Sequence, residues 1–250
     1  MAVILSIIKS VSLKESLLFI CLIVFFQSFA QEITGSDLVK KTIQYHDPNN
    51  NWSHFRAKLF IEMQMPNGNQ LPSEVSIDLP QEYFKLSSLK NDNQIEHIVN
   101  KDNYAFNLNG KTEVSEEEIK TFNLTNTRAR FMRNYYTFLY GLPMKLADPG
   151  TIIDPVVEKK EFKGKEYLVL KVKYEEGIGK DSWYFYFDSK TYAMEIYQFY
   201  HDETKNDGEY IVLSAQEVYR GIKISKIRTW YENKDSRLLA TDKLTKVSSL

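Results

Sequence analysis

This sequence contains little cysteine and no long blocks of like charge. These absences exclude several structural and functional classes of protein. Its single cysteine, Cys21, lies in an N-terminal apolar run, so the rest of the chain has no disulfide framework and no thiol chemistry. Its 32 Lys and Arg nearly balance its 33 Asp and Glu, which gives no reason to expect a nucleic-acid partner. Stability must come from a hydrophobic core, which a chain of this length builds by burying roughly 70% of its unfolded surface.

Signatures of known reactions are also absent. The sequence contains no HExxH motif, no cysteine pair and no GxSxG nucleophile elbow. We therefore expect a protein that is not an enzyme, with no catalytic residue, no cofactor and no metal ion.

A long hydrophobic run is missing as well. The apolar stretch Leu17–Phe26 is shorter than the roughly 20 residues that a membrane span needs. It follows Lys9 and Lys14 and precedes the small residues Ser28 and Ala30, which is typical of a secretory signal peptide. We therefore predict cleavage after Ala30 and export to the periplasm or the extracellular space. The mature chain is expected to be a soluble monomer that is not an integral membrane protein.

What the sequence does contain is a strong strand pattern. From Phe55 to Met65 the odd positions are apolar and the even positions are mostly polar, which predicts a half-buried strand. Asn67-Gly68 is typical of a hairpin turn, and turn signals recur along the rest of the chain. After a signal peptide over residues 1–30, we predict one domain over residues 31–250, an antiparallel meander of about ten strands.

Two helical regions interrupt this pattern. Thr34 and Asp37 resemble a helix start, and Asp47-Pro48 ends that helix. Ser115 and Glu118 form a capping box that begins a helical insert over about 115–146. The insert carries one apolar face, opposite its arginines, made of Phe131, Tyr135, Phe138, Leu139 and Leu142.

Aromatic residues load both faces of the segment Ser182–Phe187. Trp183 and Phe185 point to one face, and Tyr184 and Tyr186 point to the other. Because an antiparallel sheet normally has one wet face, either something covers each face or one face lines a cavity. The aromatic rings either fill a core or form a cleft for an apolar ligand. The candidate ligand-binding residues are Phe131, Tyr135, Phe138, Leu139, Trp183 and Phe185.

The tripeptide Tyr-His-Asp occurs twice, as Tyr45-His46-Asp47 and Tyr200-His201-Asp202. A metal site needs three or four ligands, and neighbouring residues on a strand point to opposite faces, so neither pair has the spacing of a metal site. Asn and Asp near a helix end or a turn bond to backbone amides instead. We therefore interpret His46, Asp47, His201 and Asp202 as polar residues at the ends of elements, with no assigned role.

Several strings resemble those of a family of secreted Bacteroidota proteins of unknown function, and together they cover nearly the whole mature chain. The layout of strands and helices is similar to that of the lipoprotein carrier LolA and its outer-membrane partner LolB. This resemblance implies a mainly β (α+β) fold, with a curved, incompletely closed antiparallel sheet and helices in its concavity. It also implies a binder of acyl chains or other apolar cargo. The strings are His46-Asp-Pro-Asn-Asn-Asn-Trp52, Ser182-Trp-Tyr-Phe-Tyr-Phe-Asp188, Tyr200-His-Asp-Glu203, Asn206-Asp-Gly-Glu-Tyr-Ile211 and Arg228-Thr-Trp-Tyr231.

Three functions remain open at this point. The first is an extracytoplasmic binding or carrier protein for a lipid, an acyl chain or another apolar ligand. The second is a structural or interaction module with a filled core, which binds an envelope protein partner. The third is a hydrolase that uses His46 or His201. A cavity lined by the aromatic residues favours the first, whereas a core filled by the same rings favours the second.

Overall fold

The computed structural model describes residues 32–250 of the chain. The predicted signal peptide, its cleavage after Ala30 and Cys21 lie outside the described residues. In the part that is described, no helix is long and apolar enough to cross a membrane.

Strands dominate the described part of the chain, where they form one sheet of twelve antiparallel strands. The sequence predicted about ten strands. One turn that it did not indicate, at 233–237, contains neither glycine nor proline and reverses the chain with Ser236 at a φ of 57°. The strands are β1 (Arg56–Gln64), β2 (Gln70–Asp78), β3 (Tyr83–Lys90), β4 (Asn93–Asn100), β5 (Asn103–Leu108), β6 (Thr151–Phe162), β7 (Lys165–Tyr174), β8 (Ser182–Asp188), β9 (Met194–Tyr200), β10 (Glu209–Tyr219), β11 (Ile222–Glu232) and β12 (Leu238–Ser248).

The order of the strands explains why the sheet is not closed. It runs β5-β4-β3-β2-β1-β12-β11-β10-β9-β8-β7-β6, so every neighbouring pair is consecutive in sequence except β1 and β12. The two edge strands, β5 and β6, follow each other in the chain, but the helical insert joins them instead of a turn. The predicted mainly β fold with an unclosed antiparallel sheet, an N-terminal helix and a central helical insert is confirmed.

Three α-helices accompany the sheet in the described residues, and their caps follow the sequence signals. α1 (Gly35–His46) begins after Thr34, whose side chain accepts a hydrogen bond from the backbone amide of Asp37. α2 (Glu116–Phe122) begins with the predicted capping box of Ser115 and Glu118. The left-handed conformation of Asn123 ends α2 and bends the insert before α3 (Asn126–Gly141). Short 3-10 turns occupy Trp52–His54, Met144–Ala147 and Glu203–Lys205.

The core lies between the helices and one face of the sheet, which we call the inner face. β1 contributes Ala57, Leu59 and Ile61 to this face, in the predicted alternation. α1 adds Leu38 and Val39 to the same cluster of buried side chains. The inner face is therefore the dry side of the sheet, and α1 and α3 cover it.

A second, smaller cluster explains the aromatic residues on the outer face. Tyr167 and Tyr186 are buried there together with Val169 and Ile196, although no helix covers them. Their rings pack edge to face at 6.0 Å, and Lys165 lies 5.0 Å from the ring of Tyr167. Aromatic rings and the stem of a lysine thus cover this part of the outer face.

Candidate functional site

A cleft of about 930 Å³ opens between α3 and the inner face of the sheet. The sheet side of the cleft extends from β6 across to β12 and β1, which is the half of the sheet that α3 leaves uncovered. Its aromatic lining comes from α3, β7, β8, β9 and β11. Met63 and Met65 add flexible thioethers from β1 and the turn after it. A pocket of this size lined by apolar and aromatic side chains is typical of small-molecule sites.

The cleft exists because α3 has two apolar stripes, where the sequence predicted one. The first stripe, Ala129, Met132, Tyr136 and Tyr140, packs into the core, and the main strand contacts of α3 are with β3, β4 and β5. The second stripe, Phe131, Tyr135 and Phe138, faces the other half of the sheet and contacts it only in part, so that Phe131 is 55% exposed. One helix thus both fills the core and forms the roof of the cleft.

Aromatic pairs hold the walls of the cleft in place. The ring of Phe138 meets Trp183 edge to face at 5.2 Å, and Tyr135 stacks on Trp230 at 6.4 Å. Trp183 also contacts Phe199 on the neighbouring strand, at 5.0 Å. These contacts join α3 to β8 and β11 and fix the position of the helix relative to the sheet.

The structure brings together most of the predicted ligand-binding residues. Phe131, Tyr135, Phe138, Leu139 and Trp183 all line the cleft. Phe185 does not, since it is 0% exposed in the core, with its ring stacked 6.1 Å from Trp183. Their role in binding a ligand stays a prediction.

Charged side chains surround the rim of the cleft. Lys145 forms an ion pair with Asp148 on one side. On the other side the Nδ1 atom of His201 lies 2.7 Å from a carboxylate oxygen of Asp181, and this hydrogen bond raises the pKa of His201. Burial raises the pKa of nearby Glu209. The rim therefore carries both signs of charge around an apolar interior.

A buried pair of charged residues, Arg228 and Asp242, lies behind the lining of the cleft and is bonded to two lining residues, Leu139 and Trp230. Arg228 is 2% exposed, and its Nη1 and Nη2 atoms donate to the carbonyl oxygens of Ser225 (3.0 Å) and Leu139 (3.1 Å). Asp242 is 5% exposed and accepts a hydrogen bond of 3.2 Å from Nε1 of Trp230. Burial raises the pKa of Asp242, while Arg228 and Trp230 act in the opposite direction.

Sequence reasoning missed this pair, although a signal was present. Asp242 lies in phase between Ala240 and Leu244 on β12, and both of these residues are buried on the inner face. A carboxylate in such an alternation is placed inside, where it needs a partner.

The first Tyr-His-Asp segment lies away from the cleft and has a structural role. The Nδ1 atom of His46 lies 3.0 Å from the carbonyl oxygen of Lys223, and its Nε2 atom accepts a hydrogen bond of 3.1 Å from the amide of Met194. Burial lowers the pKa of His46 to about 4, so the ring is neutral. Asp47 accepts hydrogen bonds of 2.8 Å from the amides of Asn51 and Trp52. His46 thus fastens the end of α1 to β9 and β11, and Asp47 holds the turn that follows the helix.

The second segment separates its two polar residues. His201 lines the cleft at the rim, whereas Asp202 turns away, accepts a hydrogen bond from the amide of Thr204 and pairs with Lys205. Among residues 32–250, no three His, Cys, Asp or Glu side chains come together as a metal site.

Comparison with known protein families identifies one family that covers most of the chain. Residues 14–247 match the model of a family described as "Family of unknown function (DUF6503)". No curated protein sequence matches the chain significantly.

Solved structures share the fold at very low sequence identity. A LolA superfamily protein from Nitrosomonas europaea has 8% identity and a TM-score of 0.53, with 87% of this chain and 94% of that chain covered. A DUF1329 family protein from Desulfovibrio piger has 6% identity and a TM-score of 0.50, with coverages of 87% and 93%. At these identities the likeness concerns the fold alone.

Proposed function

The chain belongs to the DUF6503 family, and we propose that it is an extracytoplasmic binding or carrier protein for a lipid, an acyl chain or another apolar ligand. The observation that carries this proposal is the aromatic cleft of about 930 Å³ between α3 and the sheet. Its volume falls within the range of about 300–1,000 Å³ that is usual for small-molecule sites. The ligand would lie in the cleft between α3 and the inner face of the sheet, beside the contact of Phe138 with Trp183.

The likeness in fold to a LolA superfamily protein supports a carrier role by analogy. The apolar interior supports it more directly, because each methylene group transferred from water into such a cleft contributes about 0.8 kcal/mol. The protein acts by binding, and its rim residues His201 and Asp181 have no catalytic role in this proposal.

A series of fatty acids of increasing length tests the proposal. We expect affinity to rise about fourfold per added methylene over the first several carbons, since 0.8 kcal/mol corresponds to about that factor. Binding should show a negative heat-capacity change and depend little on salt. Isothermal titration calorimetry measures both, and native mass spectrometry of gently extracted protein detects a bound lipid.

Matched variants locate the binding site. Phe138→Asp and Leu139→Asp each place a charge in the roof of the cleft and should weaken binding at least tenfold. Leu89→Asp is the control, because Leu89 is exposed on β3 and does not line the cleft. A homogeneous apo mass, with no uptake of fatty acid or phospholipid at micromolar concentration, would contradict the carrier proposal.

That negative result would favour the second candidate function, an interaction module that binds an envelope protein partner. The edge strand β6 supports this candidate, since Ile152 and Val156 are exposed along it and its outer side pairs with no strand in the described residues. Edge strands add partners by β-augmentation, and Pro155 limits such pairing to part of the strand.

A further inference from the structure

One carboxylate in the lining of the cleft has no partner within the described part of the chain. Five side chains of Lys, His, Asp or Glu line the cleft, and four of them form two pairs, Lys145 with Asp148 and His201 with Asp181. The fifth is Glu209, whose carboxylate forms neither a hydrogen bond nor an ion pair among residues 32–250. The described residues therefore leave one acidic group of the lining without a cation.

Strand pairing places Glu209 beside the aromatic wall of the cleft. Glu209 is the first residue of β10 and lies opposite Phe199 on β9, so the two side chains share the inner face. The ring of Phe199 lies 5.0 Å from that of Trp183 and 5.3 Å from that of His201. The charges of Glu209 and His201 also shift each other's pKa, which agrees with this placement. A ligand that lies against Phe199 therefore reaches this carboxylate.

The carboxylate of Glu209 is open to the cleft and is not sealed in the core. Glu209 is half-buried and lines the cleft, so part of its surface stays accessible to a bound molecule. Burial raises its pKa, and no hydrogen bond from the described residues acts in the opposite direction. A carboxylate that loses water when a ligand fills the cleft needs a hydrogen-bond donor or a cation in its place. The ligand itself is able to supply that partner.

A second carboxylate, that of Glu232, strengthens the negative field at Glu209. Glu232 lies opposite Glu209 on β11, and its charge raises the pKa of Glu209 further. The arginine beside it is engaged, because Arg237 forms an ion pair of 2.7 Å with Glu232. Lys145 and His201 would each have to leave a carboxylate of their own to bind an anionic ligand. This part of the cleft therefore disfavours an anion and favours a cation.

We propose that Glu209 binds a positively charged ammonium group of the ligand at the rim of the cleft. Such a group donates hydrogen bonds to the carboxylate and balances its charge, and aromatic rings such as those of Phe199 and Trp183 attract cations at their faces. A neutral hydroxyl group supplies a hydrogen bond only, and a carboxylate is repelled. This inference rests on the proposed function and narrows it to cationic amphiphiles, which bind more tightly than neutral or anionic ones with the same hydrocarbon chain.

Decylammonium, decanol and decanoate are the probes for the test, since they share one hydrocarbon chain and differ in the charge of the head group. Isothermal titration calorimetry at about pH 8, where carboxyl groups are ionised and the amine is protonated, measures all three affinities. We expect decylammonium to bind about tenfold more tightly than decanol, which is the effect of one charge-assisted hydrogen bond, and decanoate to bind more weakly than decanol. Added salt should reduce these differences.

Matched variants test whether the order depends on Glu209. Glu209→Gln should bring decylammonium within about threefold of decanol and leave the affinity for decanol within about twofold of the parent protein. Glu209→Lys should reverse the order, so that decanoate binds most tightly. Glu217→Gln and Glu217→Lys are the controls, because they make the same changes of charge on the same strand, outside the cleft. Both controls should keep the order of the parent protein.

The outcomes separate the two proposals. If the three probes bind with equal affinity, or if decanoate binds most tightly, the ammonium site is wrong and the carrier proposal stands. A preference for decylammonium that survives in Glu209→Gln, or that the Glu217 controls abolish to the same extent, also overturns the ammonium site. If none of the probes binds to the parent protein, both proposals are wrong. Should Glu209→Lys fail to fold, the comparison of Glu209→Gln with Glu217→Gln decides alone.

Discussion

The two Tyr-His-Asp segments place their histidines in opposite surroundings. His46 is 1% exposed and uses both ring nitrogens to join α1 to β9 and β11. His201 has a side chain that is 62% exposed and uses one nitrogen to hold Asp181 at the rim of the cleft. Burial lowers the pKa of His46, and the carboxylate of Asp181 raises the pKa of His201.

This difference shows that the surroundings of a histidine decide its chemistry more than its sequence neighbours do. At the end of a packed helix, the imidazole forms hydrogen bonds with backbone groups through both of its nitrogens, as a peptide group does through its N–H and its C=O. At the rim, the same ring forms a hydrogen bond with the partly exposed carboxylate of Asp181. Neither copy forms the catalytic pair with its own aspartate, because each aspartate caps a turn.

The largest expected contrast is between the two aspartates. Asp47→Ala removes two hydrogen bonds and leaves the amides of Asn51 and Trp52 unpaired, so we expect a loss of about 3 kcal/mol in the free energy of unfolding. Asp202→Ala removes the cap of an exposed turn and should cost about 1 kcal/mol. Urea denaturation of both variants measures the contrast, and equal losses would show that the two segments are equivalent.

A pH series sharpens the comparison of the histidines. Native His46 stays neutral down to a pKa of about 4, whereas the unfolded chain takes up a proton near its ordinary pKa of 6.5. Protons therefore favour the unfolded state, and stability should fall as the pH drops from 6.5 towards 4, by about 2 kcal/mol between pH 7 and pH 5 from this residue. Denaturation curves at several pH values measure the slope.

The variant His46→Gln removes this contribution and should flatten the slope, although it lowers stability at pH 7. His54→Gln is the control, because His54 is exposed. His97 is also buried with its pKa lowered to about 4, so some acid sensitivity should persist in His46→Gln. An unchanged slope in His46→Gln would show that His46 does not stay neutral in the folded protein.

The smallest effect on stability is expected at the rim. Asp181→Asn removes the hydrogen-bonded carboxylate that raises the pKa of His201, so that pKa should fall towards its ordinary value. Stability should change by less than about 0.5 kcal/mol, as is usual for exposed ion pairs. An NMR titration that follows His201 and His46 together measures both, and a shift in His46 alone would contradict the assignment.

Much of the fold was predictable because it follows from local patterns. The alternation in β1, the capping box at Ser115 and the hairpin at Asn67-Gly68 each depend on a few neighbouring residues. The composition of α3 likewise indicated an apolar roof. These features required no knowledge of which strands become neighbours.

The candidate site was only partly predictable, because it depends on pairing across the sheet. Phe185 and Trp183 share a face, yet only Trp183 reaches the cleft, since stacking of their rings places Phe185 behind it. Arg228 and Asp242 become neighbours only through the pairing of β11 with β12. Sequence alone gives the face on which a residue lies and leaves open its depth and its partner.

The pairing of β1 with β12 has a consequence for the order of folding. All other neighbouring strands are joined by short connections, whereas this pair brings Leu59 opposite Val247. Closing so long a loop has a high entropic cost, so contacts distant in sequence form slowly. We expect β1–β5 and β6–β12 to assemble first as separate meanders and then to join along this line.

The cleft lies across the same junction. Met63 lines it from β1 and Ala240 lines it from β12, so neither meander alone contains the complete site. A chain that has folded only locally is therefore unable to capture a ligand, and cargo binding begins with the last long-range step of folding.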